Sequence, residues 1–312
     1  MACPFCASRS STTEVEGPDY EYACKPGTFT LRRCSDCGHV FIDPMPATSD
    51  IPALYPGTYY TINPASPLYL RGFVYRVKLK GDVRRLLSYA GAEPPRSVVD
   101  IGCGDAARLL ALKKALPADA EAVGVDLQFT DEAARRAAEA GARLAVGNVE
   151  SDLSALRDGG HDLIILSQLI EHLREPERAL RLLRDKLSPR GRLVIETPDL
   201  AGLDYRLFRS GRWGGYHLPR HFHLFTKRSL ADLLRRGGYA VEVQRNLPSP
   251  GFWIISLRNA LGLSSDRRRA SLWEPFLHFA NLPVVGFFAA LDVAFSALGG
   301  GTSNQVAVAK KA

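Results

Sequence analysis

The stretch Ser97-Val-Val-Asp-Ile-Gly-Cys-Gly-Asp105 decides the fold. Four of its first five residues suit a buried parallel strand, and Gly102 and Gly104 then break it. Ala106 to Ala115, rich in Ala, Leu and Lys, reads as a helix. Strand, glycine turn and helix together form the ligand-cradling unit of doubly wound α/β folds. The spacing Gly102-x-Gly104-x-x-Ala107 also fits a dinucleotide fingerprint, so spacing by itself does not choose the ligand. Asp100 does. A carboxylate at the end of the strand, two residues before the first glycine, repels a pyrophosphate and suits a ligand with cationic groups.

S-adenosylmethionine carries such groups, an ammonium and a sulfonium. The run Val99-Asp-Ile-Gly-Cys-Gly104 resembles motif I of class I S-adenosylmethionine-dependent methyltransferases. The resemblance implies that Asp100, Gly102, Cys103 and Gly104 line the cofactor. Strand two, Ala122–Asp126, ends in an acid that can take both ribose hydroxyls, with Leu127 beside it. Strand three, Arg143–Val146, leads into Gly147-Asn148-Val149-Glu150, a loop that the resemblance sets beside the adenine. Strand four, Asp162–Ser167, is followed by a segment resembling that of ubiquinone-type and sugar-type methyltransferases, with Ser167 and Gln168 under the methionine end. His172 there either orients the site or caps the turn. Arg192–Thr197, Ala240–Arg245 and Asn304–Ala309 read as strands five, six and seven. The expected fold is an α/β, Rossmann-like seven-stranded sheet whose last strand, by the resemblance, runs antiparallel between the fifth and sixth.

Two Cys-x-x-Cys knuckles, Cys3/Cys6 and Cys34/Cys37, match tetrahedral zinc in a zinc ribbon. Four thiolates leave no open position, so the metal is expected to be structural. Tyr20–Ala23 and Phe29–Arg32 read as the hairpin strands between the knuckles, Cys24 as a spare thiol and His39 as a surface residue. The following Cys37-Gly-His-Val-Phe-Ile-Asp-Pro-Met-Pro46, with Tyr55, Tyr59 and Tyr60, resembles the zinc-ribbon leader of some bacterial methyltransferases, including sugar C-methyltransferases. In that group a leader tyrosine approaches the active site. This makes Tyr59 and Tyr60 substrate candidates, with packing aromatics as the other reading.

The substrate segment is expected after strand five, at Arg212-Trp213-Gly-Gly-Tyr216-His217-Leu-Pro-Arg220-His221-Phe-His223. Its Pro-Arg-His string resembles a signature of the same methyltransferases, where a histidine acts as general base. His221 is the first candidate and His217 the second. Arg220 binds a phosphate or carboxylate, or makes a structural salt bridge. Trp213 and Tyr216 stack on a sugar or ring, or pack a lid.

A chain of 312 residues predicts one large unit with small ones. The expected boundaries are a ribbon at 1–45, a linker and leading helices at 46–95, the catalytic domain at 96–246, an apolar insertion at 247–301 and the final strand at 302–312. Net charge +7 and a pI of about 9.1 favour anionic partners, or reflect an arginine-rich composition. Met1–Tyr20 lacks an apolar signal region and six cysteines do not make a disulfide scaffold, so a cytoplasmic protein is expected. The insertion holds Asp266-Arg-Arg-Arg269 and the apolar run Phe276–Leu298, interrupted by His278, Asn281, Pro283 and Asp292. A spanning helix is rejected. The insertion reads as a helical hairpin packed on the domain, at a homodimer interface, or against a membrane surface or lipid-linked substrate.

The reading is methyl transfer from S-adenosylmethionine to a small molecule or glycan, as O-methylation of a sugar or lipid-linked saccharide in polysaccharide biosynthesis. Sugar C-methyltransferases usually carry a further C-terminal domain beyond this pattern, so O-methylation is expected ahead of nucleotide-sugar C-methylation. The alternatives are C-methylation of a ketosugar or secondary metabolite, and a non-catalytic zinc-ribbon nucleic-acid-binding protein. The ribbon lacks the basic and aromatic interleaving of a strand binder, so no nucleic-acid partner is expected.

Overall fold

The computed structural model describes residues 2–55, 72–263, 272–273, 276–279 and 281–312, with side chains of the first helix from Tyr75 onward. Tyr59, Tyr60 and the Asp266–Arg269 run lie outside the described residues. In chain order the elements begin with β1 (Ser11–Gly17), β2 (Phe29–Cys34), β3 (Val40–Ile42) and α1 (Gly72–Ser88). Then come β4 (Ser97–Ile101), α2 (Ala107–Ala115), β5 (Glu121–Asp126), α3 (Asp131–Glu139) and β6 (Arg143–Val146). They continue with β7 (His161–Ser167), α4 (Pro176–Lys186), β8 (Leu187–Pro198), α5 (Leu203–Phe208) and β9 (His223–Leu224). The chain ends with α6 (Lys227–Arg236), β10 (Tyr239–Leu247), α7 (Pro250–Ala260), α8 (Leu282–Ala297) and β11 (Asn304–Lys311). Among the described residues no helix is long and apolar enough to cross a membrane.

The chain divides into two compact units, and the boundaries differ from those expected. One comprises Arg71–Glu196, Ala231–Gln244 and Val306–Ala312. It carries the seven-stranded sheet in the order β10-β11-β8-β7-β4-β5-β6, so the last strand does enter between the fifth and sixth of the sheet. β4 runs parallel to β5 and β7, with Val99 opposite both Val123 and Ile164. All five β4 residues are buried, as befits a central parallel strand of Val and Ile. β8 starts at Leu187, earlier than expected. It pairs Leu187 with His161 and then Arg192 with Leu163, so Ser188–Gly191 is a register shift within the strand. On α1 Val77 is exposed, and Val83 and Leu86 carry the packing.

The other unit comprises Met1–Leu70, Thr197–Leu230 and Arg245–Gln305. Its sheet has the order β1-β2-β3-β9. The first hairpin strand is Ser11–Gly17, with Val15 opposite Leu31, and not Tyr20–Ala23. Asp19 explains the difference. Its carboxylate accepts from the N–H groups of Tyr22 (3.1 Å) and Cys24 (3.0 Å) and rolls that segment into a turn. β9 pairs with β3, His223 opposite Phe41, so the ribbon sheet continues past residue 45 and takes in the histidine segment. Leu31, Val40, Ile42, Leu54, Phe222 and Leu224 form its core. The insertion belongs to this unit too. α7 and α8 pack through Trp253, Ile254 and Phe288, with Trp253 and Phe288 stacked at 5.1 Å.

Candidate functional site

In the sheet-bearing unit, four strand ends build the expected cofactor site. Gly102 and Gly104 have φ of +69° and +56°, values that suit glycine. A Cβ on Gly102 would come within 3.1 Å of the Leu169 side chain, so the turn is a cradle that a larger residue would fill. Asp126 ends β5. One oxygen accepts from Gly104 N–H (2.8 Å) and the other from Leu127 N–H (2.7 Å). Each oxygen keeps acceptor capacity for a ribose hydroxyl. Burial pushes this carboxyl above its ordinary value, and the Asp100 carboxylate adds to the effect. A cationic ligand relieves both. The Leu127 side chain is exposed beside it. Asn148 Oδ1 accepts from Glu150 N–H (2.9 Å), which leaves its amide N–H groups as the donors the site presents to a base. Val149 is buried next to it. Ser167 Oγ donates to Glu196 Oε2 (2.8 Å), and Gln168, at φ +54°, donates its N–H to the Glu196 carbonyl (2.7 Å). The donors, acceptors and glycine turn fit S-adenosylmethionine.

Two expected cofactor contacts are corrected. Asp100 is fully buried, and both its oxygens are held by Arg108 of α2, one of them by Nε at 3.0 Å. A carboxylate so deep needs a counter-ion, and the guanidinium supplies it, so Asp100 does not face an ammonium directly. Cys103 is buried with its thiol pushed up by burial and by the Asp100 carboxylate. Its Sγ faces β5, where a Cβ on Gly124 would lie 2.6 Å away, so it packs the turn.

In the other unit, Cys3, Cys6, Cys34 and Cys37 place all four sulfurs within 4.8 Å of one another. Cys3–Cys37 and Cys6–Cys34 are 3.6 and 3.5 Å apart. A tetrahedral zinc–thiolate site sets sulfurs about 3.8 Å apart, so the cluster fits that metal. Burial pushes the Cys34 thiol up, but the N–H groups of Cys37 and Asp36 and the Cys6 thiol bring it down to about 7. His39 is not a surface residue. It is buried, stacks on Phe5 of the first knuckle (3.6 Å, 4°) and shares a hydrogen bond with His223 (Nε2 to Nδ1, 3.0 Å). Cys24 Sγ accepts from Arg220 (3.3 Å).

The histidine segment lies in this second unit. His221 Nδ1 meets the Gly215 carbonyl (2.8 Å), and His217 Nδ1 meets Glu21 Oε2 (2.8 Å). The two rings are 4.9 Å apart. A carbonyl only accepts, so His221 donates from Nδ1 and Nε2 is its basic nitrogen. Three expected substrate residues are interior instead. Arg220 is fully buried, paired through two nitrogens with Asp19 (2.6 and 3.0 Å), with Nε donating to the Leu54 carbonyl (2.6 Å). Trp213 donates Nε1–H to Asp204 (2.8 Å), and Tyr216 donates its hydroxyl to the Arg209 carbonyl (2.8 Å). Both rings sit in the core beside Tyr205.

Asp199 escaped the sequence reading. It is fully buried, and neither carboxylate oxygen meets a donor in hydrogen-bonding geometry among the described residues. Burial pushes its carboxyl up to about 7, and Lys227 and the Ala201 N–H oppose this only in part. The signal was available. Thr197-Pro-Asp199 puts an acid just past the end of an apolar parallel strand, where ligands of such sheets bind.

Residues 75–244, more than half of the chain, match the family described as Methyltransferase domain. The chain belongs to this family, the class whose S-adenosylmethionine motif its glycine turn resembles. It is 33% identical over 190 residues to an uncharacterized 37.1 kDa protein in transposon TN4556 of Streptomyces fradiae, covering 59% of this chain and 55% of that one. It is 31% identical over 182 residues to the demethylmenaquinone methyltransferase of Thermus thermophilus, covering 52% of this chain and 82% of the relative. The chain thus spans about half of the first relative and most of the second. The fold matches the 1,6-didemethyltoxoflavin-N1-methyltransferase of Burkholderia thailandensis, solved with S-adenosylhomocysteine, at a TM-score of 0.51 and 16% identity over 89% of this chain and 97% of that one.

Proposed function

We propose that the chain methylates a hydroxyl of a small molecule or glycan, with His221 as the base that takes the acceptor's proton. When bound, S-adenosylmethionine supplies an electrophilic methyl group on a sulfonium. Asp126 and Asn148 hold its nucleoside, and the Gly102–Gly104 turn gives it close backbone approach. The observation that carries the base assignment is the Nδ1 bond of His221 to the Gly215 carbonyl, which fixes the tautomer with Nε2 basic. Asp199 is the acceptor-side group that a substrate O–H or N–H would satisfy. The four cysteines hold a structural zinc that ties the two knuckles together.

The test is transfer of labelled methyl from S-adenosylmethionine to a panel of sugars and lipid-linked saccharides. His221→Asn is expected to lower turnover roughly a hundredfold or more, with cofactor affinity by calorimetry unchanged. Full turnover by that variant, and loss in His217→Asn instead, would hand the role to the His217–Glu21 pair. The likeness to a demethylmenaquinone methyltransferase favours one second reading, methylation at an acidic carbon of a secondary metabolite. Proton exchange of the acceptor's C–H with solvent, without cofactor, would select it.

A further inference from the structure

α8 is turned inside out. Its one charged residue, Asp292, is buried, accepting from Ser249 N–H (2.6 Å) and Trp253 Nε1–H (2.8 Å). Its outward positions recur at three- to four-residue spacing and include Leu282, Gly286, Phe287, Ala290, Val293 and Ala297. No exposed position of the helix carries a polar side chain. A helix that faces water carries charged or polar residues on that side. Here Phe287 is 63% exposed and Val293 56%, with Leu298 at 86% just past the end. The same insertion exposes Leu272, Trp273 and Phe276. Scattered apolar residues need no explanation, but an uninterrupted helical stripe with its acid turned inward does.

We propose that this stripe seats the protein on an anionic lipid surface. α8, at 16 residues, is too short to span a bilayer, so the helix lies in the interface. Charge decides between lipid and a second copy. The chain carries a net +7. Another copy carries the same net charge. An anionic bilayer brings the opposite charge, and its headgroup layer accommodates exposed Trp and Phe. The proposal does not depend on which acceptor is methylated.

The experiment is co-sedimentation of the full chain with vesicles of phosphatidylcholine containing about one-third phosphatidylglycerol, beside vesicles of phosphatidylcholine alone. Trp213 and Trp253 are already buried, so a blue shift of tryptophan emission on binding reports Trp273. The expected result is binding to the anionic vesicles, roughly tenfold weaker to neutral ones, and weakened by high salt. The double variant Phe287→Glu, Val293→Glu is expected to lower binding by roughly tenfold or more, with an unchanged near-ultraviolet circular dichroism spectrum. Failure of the folded wild-type chain to sediment with anionic vesicles overturns the proposal. So does a lipid-free dimer in sedimentation equilibrium that the same double variant dissolves, which would assign the stripe to a second copy.

Discussion

Ala7 and Gly38 occupy the same place in the two cysteine knuckles, one residue past the second thiol. Both take the left-handed conformation, at φ +58° and +72°, and both donate N–H to the carbonyl of the first cysteine, Ala7 to Cys3 (2.9 Å) and Gly38 to Cys34 (3.0 Å). Nothing lies within 4 Å of a Cβ built on Gly38, so a substitution there acts through the backbone alone. Gly38→Ala is expected to destabilise by about 1 kcal/mol and Ala7→Gly to stabilise by about 0.5–1 kcal/mol, read by urea unfolding of the metal-loaded protein. Asp199 gives a pH-dependent counterpart. Its carboxyl, at about 7 in the fold, lies above the unfolded value of about 3.9, so the folded state holds an extra proton between those limits. The stability this provides is full below about pH 4 and is lost as pH rises through about 7. Asp199→Asn is therefore expected to melt several degrees higher than wild type at pH 8 and alike at pH 4, while methyl transfer falls through a raised KM. Equal melting at pH 8 would show that the carboxyl finds a donor in the fold.

At the scale of elements, α2 is fastened to β4 by one buried ion pair. Arg108→Met leaves Asp100 charged and unpaired in the interior, and is expected to cost about 3–5 kcal/mol. Adding Asp100→Asn should recover much of this loss, as a double-mutant cycle by thermal melting would show. That pair also marks where sequence reading stops. β4 to β7 were legible because each is an apolar run closed by Gly, Asp or Ser at its carboxyl end. The glycine turn and Asp126 were legible because they follow one another along a strand–turn–helix. β1 was not, because in Ser11–Gly17 the inward positions are only Val15 and Gly17, while the aromatic-rich Tyr20–Ala23 imitates a strand. The roles of Arg220 and Trp213 were hidden for another reason. Arg220 finds its partner Asp19 some two hundred residues away in sequence, and no local pattern announces that pairing. Asp100 misled because an acid in that motif position reads as a ligand contact until its counter-ion, Arg108 at the second residue of α2, is seen.

At the scale of the whole molecule, the two compact units are not separable pieces of chain. The backbone passes between them repeatedly, and β8, β10 and β11 each begin in one unit and end in the other. Melting one unit therefore removes part of three strands from the seven-stranded sheet, and both units should unfold together. A ligand that binds only the folded state raises stability by about 2.7 kcal/mol at a hundredfold excess over its dissociation constant. Removing a structural zinc acts in the opposite direction and by more, since its binding energy is folding energy. Calorimetry is expected to show one transition that rises with saturating S-adenosylmethionine and falls with a strong chelator, although the two sites belong to different units. Cys34→Ser should mimic the chelator and Asp126→Ala should abolish the rise. Two separate transitions, each moving with one ligand only, would mean that the shared strands fray at the boundary and that the ribbon unit folds on its own account.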